Sequence, residues 1–76
     1  MGQPFSEHVR RAVEIVGSQA ALARQIGLSQ PSVHDLCNGA KSIRAEIALA
    51  IEKATDGQVT RSQLRPDLWP RKERAA

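Results

Sequence analysis

The sequence is poor in cysteine and in aromatic residues, with one cysteine, one tryptophan, one phenylalanine and no tyrosine among 76 residues. A single cysteine, Cys37, cannot form an internal disulfide, so the composition gives no indication of an oxidising compartment. No apolar run approaches the ~18 residues of a membrane-spanning helix, and no signal peptide opens the chain. We therefore expect a cytoplasmic protein with no membrane partner.

The sequence also lacks the groups of residues that catalysis and metal binding require. No nucleophile with a general base, glycine-rich phosphate loop or acidic metal cluster can be assembled from it. His34 and Cys37 have helical i, i+3 spacing, but two ligands are too few for a zinc site, and Cys37 fits a small core residue better. We therefore expect a protein that is not an enzyme and that holds neither a metal nor a cofactor.

Charge is distributed unevenly along the chain. The net charge is +3 at pH 7, but residues 1–60 carry six basic and six acidic side chains, whereas residues 61–76 carry five basic and two acidic ones. The total is therefore weak evidence for a polyanionic partner, and the local arrangement has to decide. A chain this short forms one small domain, which we place at residues 1–70, with a flexible basic tail at residues 71–76.

Apolar residues recur at helical spacing and predict an all-α fold, a compact bundle of four to five short helices. Glycines are typical of the left-handed residue that ends a helix, and serine or threonine of the residue that caps its start. The predicted helices are one that starts near Pro4 and ends before Gly17, one from Ser18 to Gly27, one from Ser29 to about Cys37, one from about Arg44 to Thr55, and a short turn from Thr60 through Leu64.

The stretch Ser18–Leu36 predicts a helix-turn-helix with a sharp bend. Only three residues join its two helices. Gly27 permits a positive φ, Leu28 fills the corner, and Ser29 caps the outgoing helix. Ala23 supplies the small side chain that a close helix crossing needs. Each signal is common by itself, and their agreement in register makes the prediction specific.

These residues carry a resemblance to a known family. The segment SQAALARQIGLSQPSVHDL at residues 18–36, followed by Asn38-Gly39, resembles the helix-turn-helix of Cro and the lambdoid phage repressors. The block from Ala45 to Arg61 and the ending LRPDLW at residues 64–69 are similar to the YdaS-type, Cro-like prophage regulators, some of which are described as antitoxins. The resemblance covers about residues 6–70, and the ending is its most restrictive part.

The resemblance implies a transcriptional regulator that binds duplex DNA sequence-specifically and acts as a Cro-like repressor on the bacterial nucleoid. In that family the third helix, here 30–37, reads the major groove, and two copies occupy paired half-sites. The implied partner is double-stranded DNA, bound by a homodimer that forms at the latest on the DNA. The alternative is an antitoxin-like interaction module that binds a toxin or another protein through Val59–Trp69 or the basic tail, with autoregulatory DNA binding.

Five residues of the third helix point away from its apolar face and are candidates to read bases. In the resembled repressors, the positions that match Gln30, Ser32 and Asp35 touch base edges. Gln30 can bond adenine bidentately, Asp35 can accept from cytosine N4, and Pro31 can only pack, for example against a thymine methyl. His34 is assigned to a base or a phosphate. Two alternatives remain open, since these side chains also suit a solvated surface, and Asp35 also suits an ion pair with Arg24 or another neighbour.

A second set of residues is predicted to bind phosphate. Gln19 matches a position that the family uses on phosphate, and the free N–H groups beside the Ser18 cap favour the same ligand. In the resembled family, further contacts to the DNA backbone come from the residues after the third helix. These candidates are Asn38, Lys41, Ser42 and Arg44. By contrast, Arg10, Arg11 and Arg24 are expected to be solvated surface residues, and His8 is expected to be exposed.

A self-association patch is predicted from four apolar residues near the C-terminal half. Leu49 lies on the face of its helix that points away from the core stripe. Near Leu64, Leu68 and Trp69 it could help to form a dimer contact. The alternatives are that Leu49 is a single exposed leucine, which needs no explanation, and that Trp69 packs into the core to hold the C-terminal segment.

Overall fold

Five α-helices make up the regular secondary structure of the computed structural model, which describes residues 5–70. Within this range the structure has no strand. The predicted all-α fold is therefore confirmed, while the predicted basic tail at 71–76 lies outside the described residues. The helices are α1 (Phe5–Val16), α2 (Gln19–Ile26), α3 (Gln30–Cys37), α4 (Ala45–Ala54) and α5 (Arg61–Leu64).

Three of the helices, α2, α3 and α5, begin at the side-chain caps that the sequence predicts. The Ser18 hydroxyl accepts a hydrogen bond from the Ala21 amide at 3.0 Å at the start of α2. Ser29 caps α3 in the same way, accepting from the Ser32 amide at 3.4 Å. At α5, Thr60 and Gln63 form a reciprocal capping box with bonds of 3.2 and 3.0 Å. These caps satisfy amides that lack partners in the first turn of a helix.

The corner between α2 and α3 depends on a left-handed residue. Gly27 has φ +79°, and its amide donates to the Ala23 carbonyl at 2.9 Å. The Leu28 amide donates to the same carbonyl, also at 2.9 Å. Two donors on one carbonyl close the helix end tightly, so only Leu28 and Ser29 remain before α3 begins. The predicted helix-turn-helix is present with the predicted residues at its corner.

The core lies where the inner faces of α1 to α4 meet, with Leu64 of α5 closing one end. α2 packs against both α3 and α4, and α1 packs against all the other helices. Ala23 is buried where α2 meets its neighbours, as its small size predicts. Side chains with no more than 1% exposure come from four of these elements and the turn after α4. They are Val9, Ala12, Leu22, Val33, Ala48, Ile51, Thr55 and Val59.

Thr55 is the one polar residue of this inner group, and it fixes the turn between α4 and α5. Its hydroxyl donates to the Ile51 carbonyl at 2.9 Å and accepts from the Val59 amide at 3.1 Å. Asp56 and Gly57 follow with φ of +54° and +81°, which reverses the chain. The buried hydroxyl therefore has hydrogen-bond partners, and it anchors residues 56–60, which lead to α5.

Replacement of Gly27 tests how much the corner depends on its backbone. A Cβ at this position would meet no atom within 4 Å, so a substitution is penalised only by the positive φ. We expect Gly27→Ala to lower the free energy of unfolding by about 1 kcal/mol and Gly27→Asn by less, because Asn tolerates the left-handed region. Denaturant unfolding measures both variants. Equal losses would contradict the backbone explanation.

Candidate nucleic-acid interface

α3 is packed on one face and open on the other. Val33, Leu36 and Cys37 are buried, with exposures of 0%, 8% and 3%. Four of the five base-reading candidates are exposed, and Ser32 is half-buried. The exposed four are Gln30, Pro31, His34 and Asp35. The structure therefore directs the predicted residues outward, away from the core.

The first half of this open face adjoins the start of α2. Gln30, Pro31 and His34 line one shallow depression together with Gln19, the candidate phosphate-binding residue of α2. Ser18, beside it, is exposed and uses its hydroxyl as the helix cap. Three base-reading candidates of α3 and the phosphate-binding candidate of α2 thus lie on one surface, with the N-terminal end of α2 at its border.

The second half of the face adjoins the segment that follows α3, residues 38–44, here called the α3–α4 loop. Ser32 and Asp35 line a second shallow depression with Ser42 and Arg44 of this loop. Within residues 5–70, no ion pair joins Asp35 to Arg24, so the alternative partner for Asp35 is absent there. Base-reading and phosphate-binding candidates therefore border each other on this side as well.

Two of the candidates are already engaged in local hydrogen bonds. The hydroxyls of Ser32 and Ser29 lie 3.0 Å apart, so Ser32 takes part in the cap of its own helix. The Asn38 amide nitrogen donates to the His34 carbonyl at 2.7 Å, at the C-terminal end of α3. These bonds give Ser32 and Asn38 a structural role at the two ends of α3, beside any contact with a ligand.

The cations of the α3–α4 loop remain accessible. Lys41 and Ser42 are exposed. Arg44 makes an ion pair with Glu46 at 3.2 Å, but both side chains are more than 70% exposed. An ion pair in full contact with water contributes little, so Arg44 can exchange this partner for another anion at small cost.

Arg10 has a role that the sequence analysis missed, since it was expected to be a solvated surface residue. Its Nε donates to the Cys37 carbonyl at 2.9 Å, linking α1 to the last residue of α3. Glu7 lies 3.9 Å away on the same side of α1. A guanidinium at a helix C-terminus satisfies a free carbonyl and complements the helix dipole. Arg10 is thus a long-range cap of α3.

The remaining titratable candidates lie in or beside the core. Burial raises the pKa of the Cys37 thiol, and its 3% exposure matches the predicted core role. His8 was expected to be exposed but is half-buried, and desolvation lowers its pKa. Within residues 5–70, no three His, Cys, Asp or Glu side chains are grouped to hold a metal, and no helix is long and apolar enough to cross a membrane.

Not all four residues of the predicted self-association patch lie at the surface. Leu64 is 2% exposed, so its assignment as a dimer contact is wrong: it closes the core as the last residue of α5. Trp69 is half-buried against the core, and the Arg61 guanidinium lies 5.4 Å from its ring centre. Leu49 and Leu68 are exposed, at 39% and 46%. Of the four residues, Leu49 and Leu68 are thus the exposed ones, and Trp69 is partly exposed.

Comparison with known proteins identifies the family. The sequence model of a family described as bacterial toxin YdaS matches residues 9–73. The chain belongs to the YdaS family. It is 43% identical over 68 residues to the protein of Escherichia coli K12 that is named as the transcriptional regulator YdaS, covering 88% of this chain and 69% of that protein. It is also 34% identical over 53 residues to a prophage transcriptional regulatory protein of the same strain, covering 70% and 80%.

A solved structure shows the same fold. The Cro protein from a prophage element of Xylella fastidiosa strain Ann-1 superimposes with a TM-score of 0.69 at 32% sequence identity, over 80% of this chain and 92% of that one. The resemblance noted in the sequence is therefore confirmed. This member of the YdaS family is a Cro-like helix-turn-helix regulator of the prophage type.

The cap that Arg10 provides predicts unequal effects for neighbouring arginines. Arg10→Ala removes the bond to the Cys37 carbonyl, and we expect it to lower the free energy of unfolding by about 1 kcal/mol. Arg11→Ala removes the same charge from an exposed position, and a change within about 0.5 kcal/mol is expected. Denaturant unfolding compares them. Losses of the same size would show that Arg10 contributes no more than a surface charge.

Proposed function

We propose that the protein is a sequence-specific repressor that binds an operator in double-stranded DNA, with the outer face of α3 in the major groove. The observation that supports this most is the arrangement around α3. Its exposed polar face is bordered at one end by the N-terminal end of α2 and at the other by the cationic α3–α4 loop. A major groove is flanked by phosphate backbones on both sides, and this surface offers anion-binding groups at both of its borders.

Backbone contacts would supply most of the affinity. At the first border, the Gln19 amide and the free amides of the first turn of α2 suit a phosphate oxygen. At the second border, the exposed Lys41 and Arg44 supply positive charge, with Ser42 as a hydroxyl donor. Each phosphate that these groups neutralise releases counterions, so binding should weaken steeply with salt.

Selectivity would come from the face of α3 itself. Gln30 is exposed and can place its amide on adenine N6 and N7, while Asp35 can only accept, which suits cytosine N4. A carboxylate in a groove lined by phosphates is repelled wherever no donor faces it. Asp35 therefore contributes to specificity mainly by weakening the binding of unsuitable sequences.

Two copies on two half-sites would give the selectivity that one short helix lacks. A single α3 presents few base-reading side chains. Two copies on half-sites about one helical turn apart present twice as many. Leu49 and Leu68 are the exposed large apolar residues of the described chain, and we assign the contact between the two copies to them.

A second candidate function is a protein interaction module with autoregulatory DNA binding. It is favoured by one observation, the 46% exposure of Leu68 within Val59–Trp69, together with the family's description as a bacterial toxin. The partner would be a protein that covers this segment. Leu68→Ser distinguishes the two functions. If the variant keeps its DNA selectivity but loses a protein partner, the interaction module is favoured over a homodimer contact on DNA.

Selection from randomised duplexes with the purified protein tests the proposal. We expect an enriched half-site with two-fold symmetry. Gln30→Ala should cost about 1–3 kcal/mol on that operator and relax the preference at one base position. Gln25→Ala, at an exposed glutamine of α2 that lines a different depression, is the matched control and should leave the preference unchanged. Equal loss on every sequence for Gln30→Ala would refute base reading by this residue.

Removal of Lys41 should weaken binding without changing the sequence preference. Lys41→Ala takes away a phosphate contact, so we expect weaker binding to all sequences alike and a salt dependence that is flatter by about one unit of slope. Lys53→Ala is the matched control, because it removes the same charge from an exposed position of the last turn of α4. Binding isotherms at several salt concentrations compare the two. Identical slopes for both variants would remove Lys41 from the interface.

A further inference from the structure

We propose that Arg65 is a positioning residue for DNA binding, which holds the α3–α4 loop in place so that its cations face the phosphates beside α3. The proposal rests on the proposed function. Arg65 follows α5 and is distant from the loop in sequence, yet its Nη1 donates to the Ile43 carbonyl at 2.7 Å. Its side chain is only 25% exposed. It therefore acts through the loop and presents no free charge of its own to a ligand.

The loop has little else to hold it. The Ala40 amide donates to the Asp35 carbonyl at 2.9 Å, which continues the end of α3. For residues 41–43, the bond from Arg65 is the one hydrogen bond that links their backbone to another part of the described chain. The Ile43 side chain is buried at 3% exposure and supplies the apolar anchor. A buried side chain alone leaves the peptide plane free to rotate, and the carbonyl bond removes that freedom.

Asp67 fixes the direction in which Arg65 points. The carboxylate accepts from Arg65 Nε at 3.0 Å and from Nη2 at 2.7 Å, forming a bidentate pair. This pair orients the planar guanidinium and leaves Nη1 aimed at Ile43. The hydrogen bond from Arg65 also lowers the pKa of the Asp67 carboxyl, in keeping with a charged partner. The Arg-Pro-Asp part of the C-terminal motif thereby forms a clamp on the loop.

Pre-ordering of the loop raises affinity because its entropy is already lost in the free protein. Lys41, Ser42 and Arg44 flank the clamped Ile43, and Ser42 and Arg44 share a depression with Asp35 of α3. A loop that moved would have to be ordered at the moment of binding, which weakens the complex without removing any contact. The clamp therefore affects affinity, while the residues that touch DNA stay the same.

Two substitutions that change the net charge in opposite directions test the proposal. Arg65→Ala removes a positive charge and Asp67→Asn removes a negative one, so electrostatics alone predicts weaker binding for the first and tighter binding for the second. The clamp predicts weaker binding for both, by about tenfold on the selected operator at one salt concentration. Arg65→Lys keeps the charge but lacks the planar fork, and it should fail to restore affinity.

Arg61→Ala is the matched control. Arg61 also anchors the C-terminal segment, through Glu52 at 3.6 Å and Trp69, but makes no bond to the loop. It should change affinity by no more than about threefold, the effect of a lost distant charge. Tighter binding by Asp67→Asn, or equal losses for Arg61→Ala and Arg65→Ala, would overturn the proposal.

Backbone ¹⁵N relaxation of the free protein gives a readout that does not need DNA. Loss of the clamp should lower the order parameters of the Lys41–Ile43 amides in Arg65→Ala and Asp67→Asn, while those of α2 stay at the values of rigid backbone. Unchanged order parameters at the loop would overturn the clamp whatever the DNA shows. If the wild-type protein selects no duplex, the proposed function fails, and the relaxation data alone then decide whether Arg65 orders the loop.

Discussion

The left-handed corner at Gly27 is the constraint on which the rest of the structure depends. One carbonyl, that of Ala23, accepts from two successive amides, so α2 ends abruptly and α3 starts after two further residues. With so short a connection, the direction of α3 is set by the corner and by the packing of its inner face. The outer face is open as a consequence, because no other element within residues 5–70 covers it.

The short length of α3 explains why its ends are tied from so many sides. A helix of eight residues is marginal by itself, so tertiary contacts have to supply its stability. Ser29 caps its start, the Asn38 amide and the Arg10 guanidinium bond carbonyls at its end, and buried side chains hold its inner face. Most residues on the outer face of α3 take no part in these stabilising contacts. They are free to differ between relatives without unfolding the domain, which suits a surface that distinguishes one DNA sequence from another.

The helices and the corner were predictable from the sequence because their signals are local. Ser18, Ser29 and the Thr60 capping box act within one turn, and glycines act on their own backbone. The bonds of Arg10 and Arg65 were not predictable, since their acceptors are backbone carbonyls, which every residue has and no pattern marks. Leu64 was misplaced for a related reason: its helix is one turn long and shows no periodicity from which to read a buried face.

The weak overall charge makes the position of individual polar and charged groups important. Residues 1–60 carry as many acidic as basic side chains, so the net charge of this part of the chain does not favour a polyanionic partner. Under the proposed function, the protein gains its affinity for DNA from the position of a few groups: the helix-end amides of α2, two cations in one loop, and the base-reading side chains on one face of α3. The position of each group then matters more to affinity than the total number of charges does. Under the proposed function, we therefore expect residues that only hold others in place, such as the Arg65–Asp67 pair, to affect binding alongside the residues that touch the DNA.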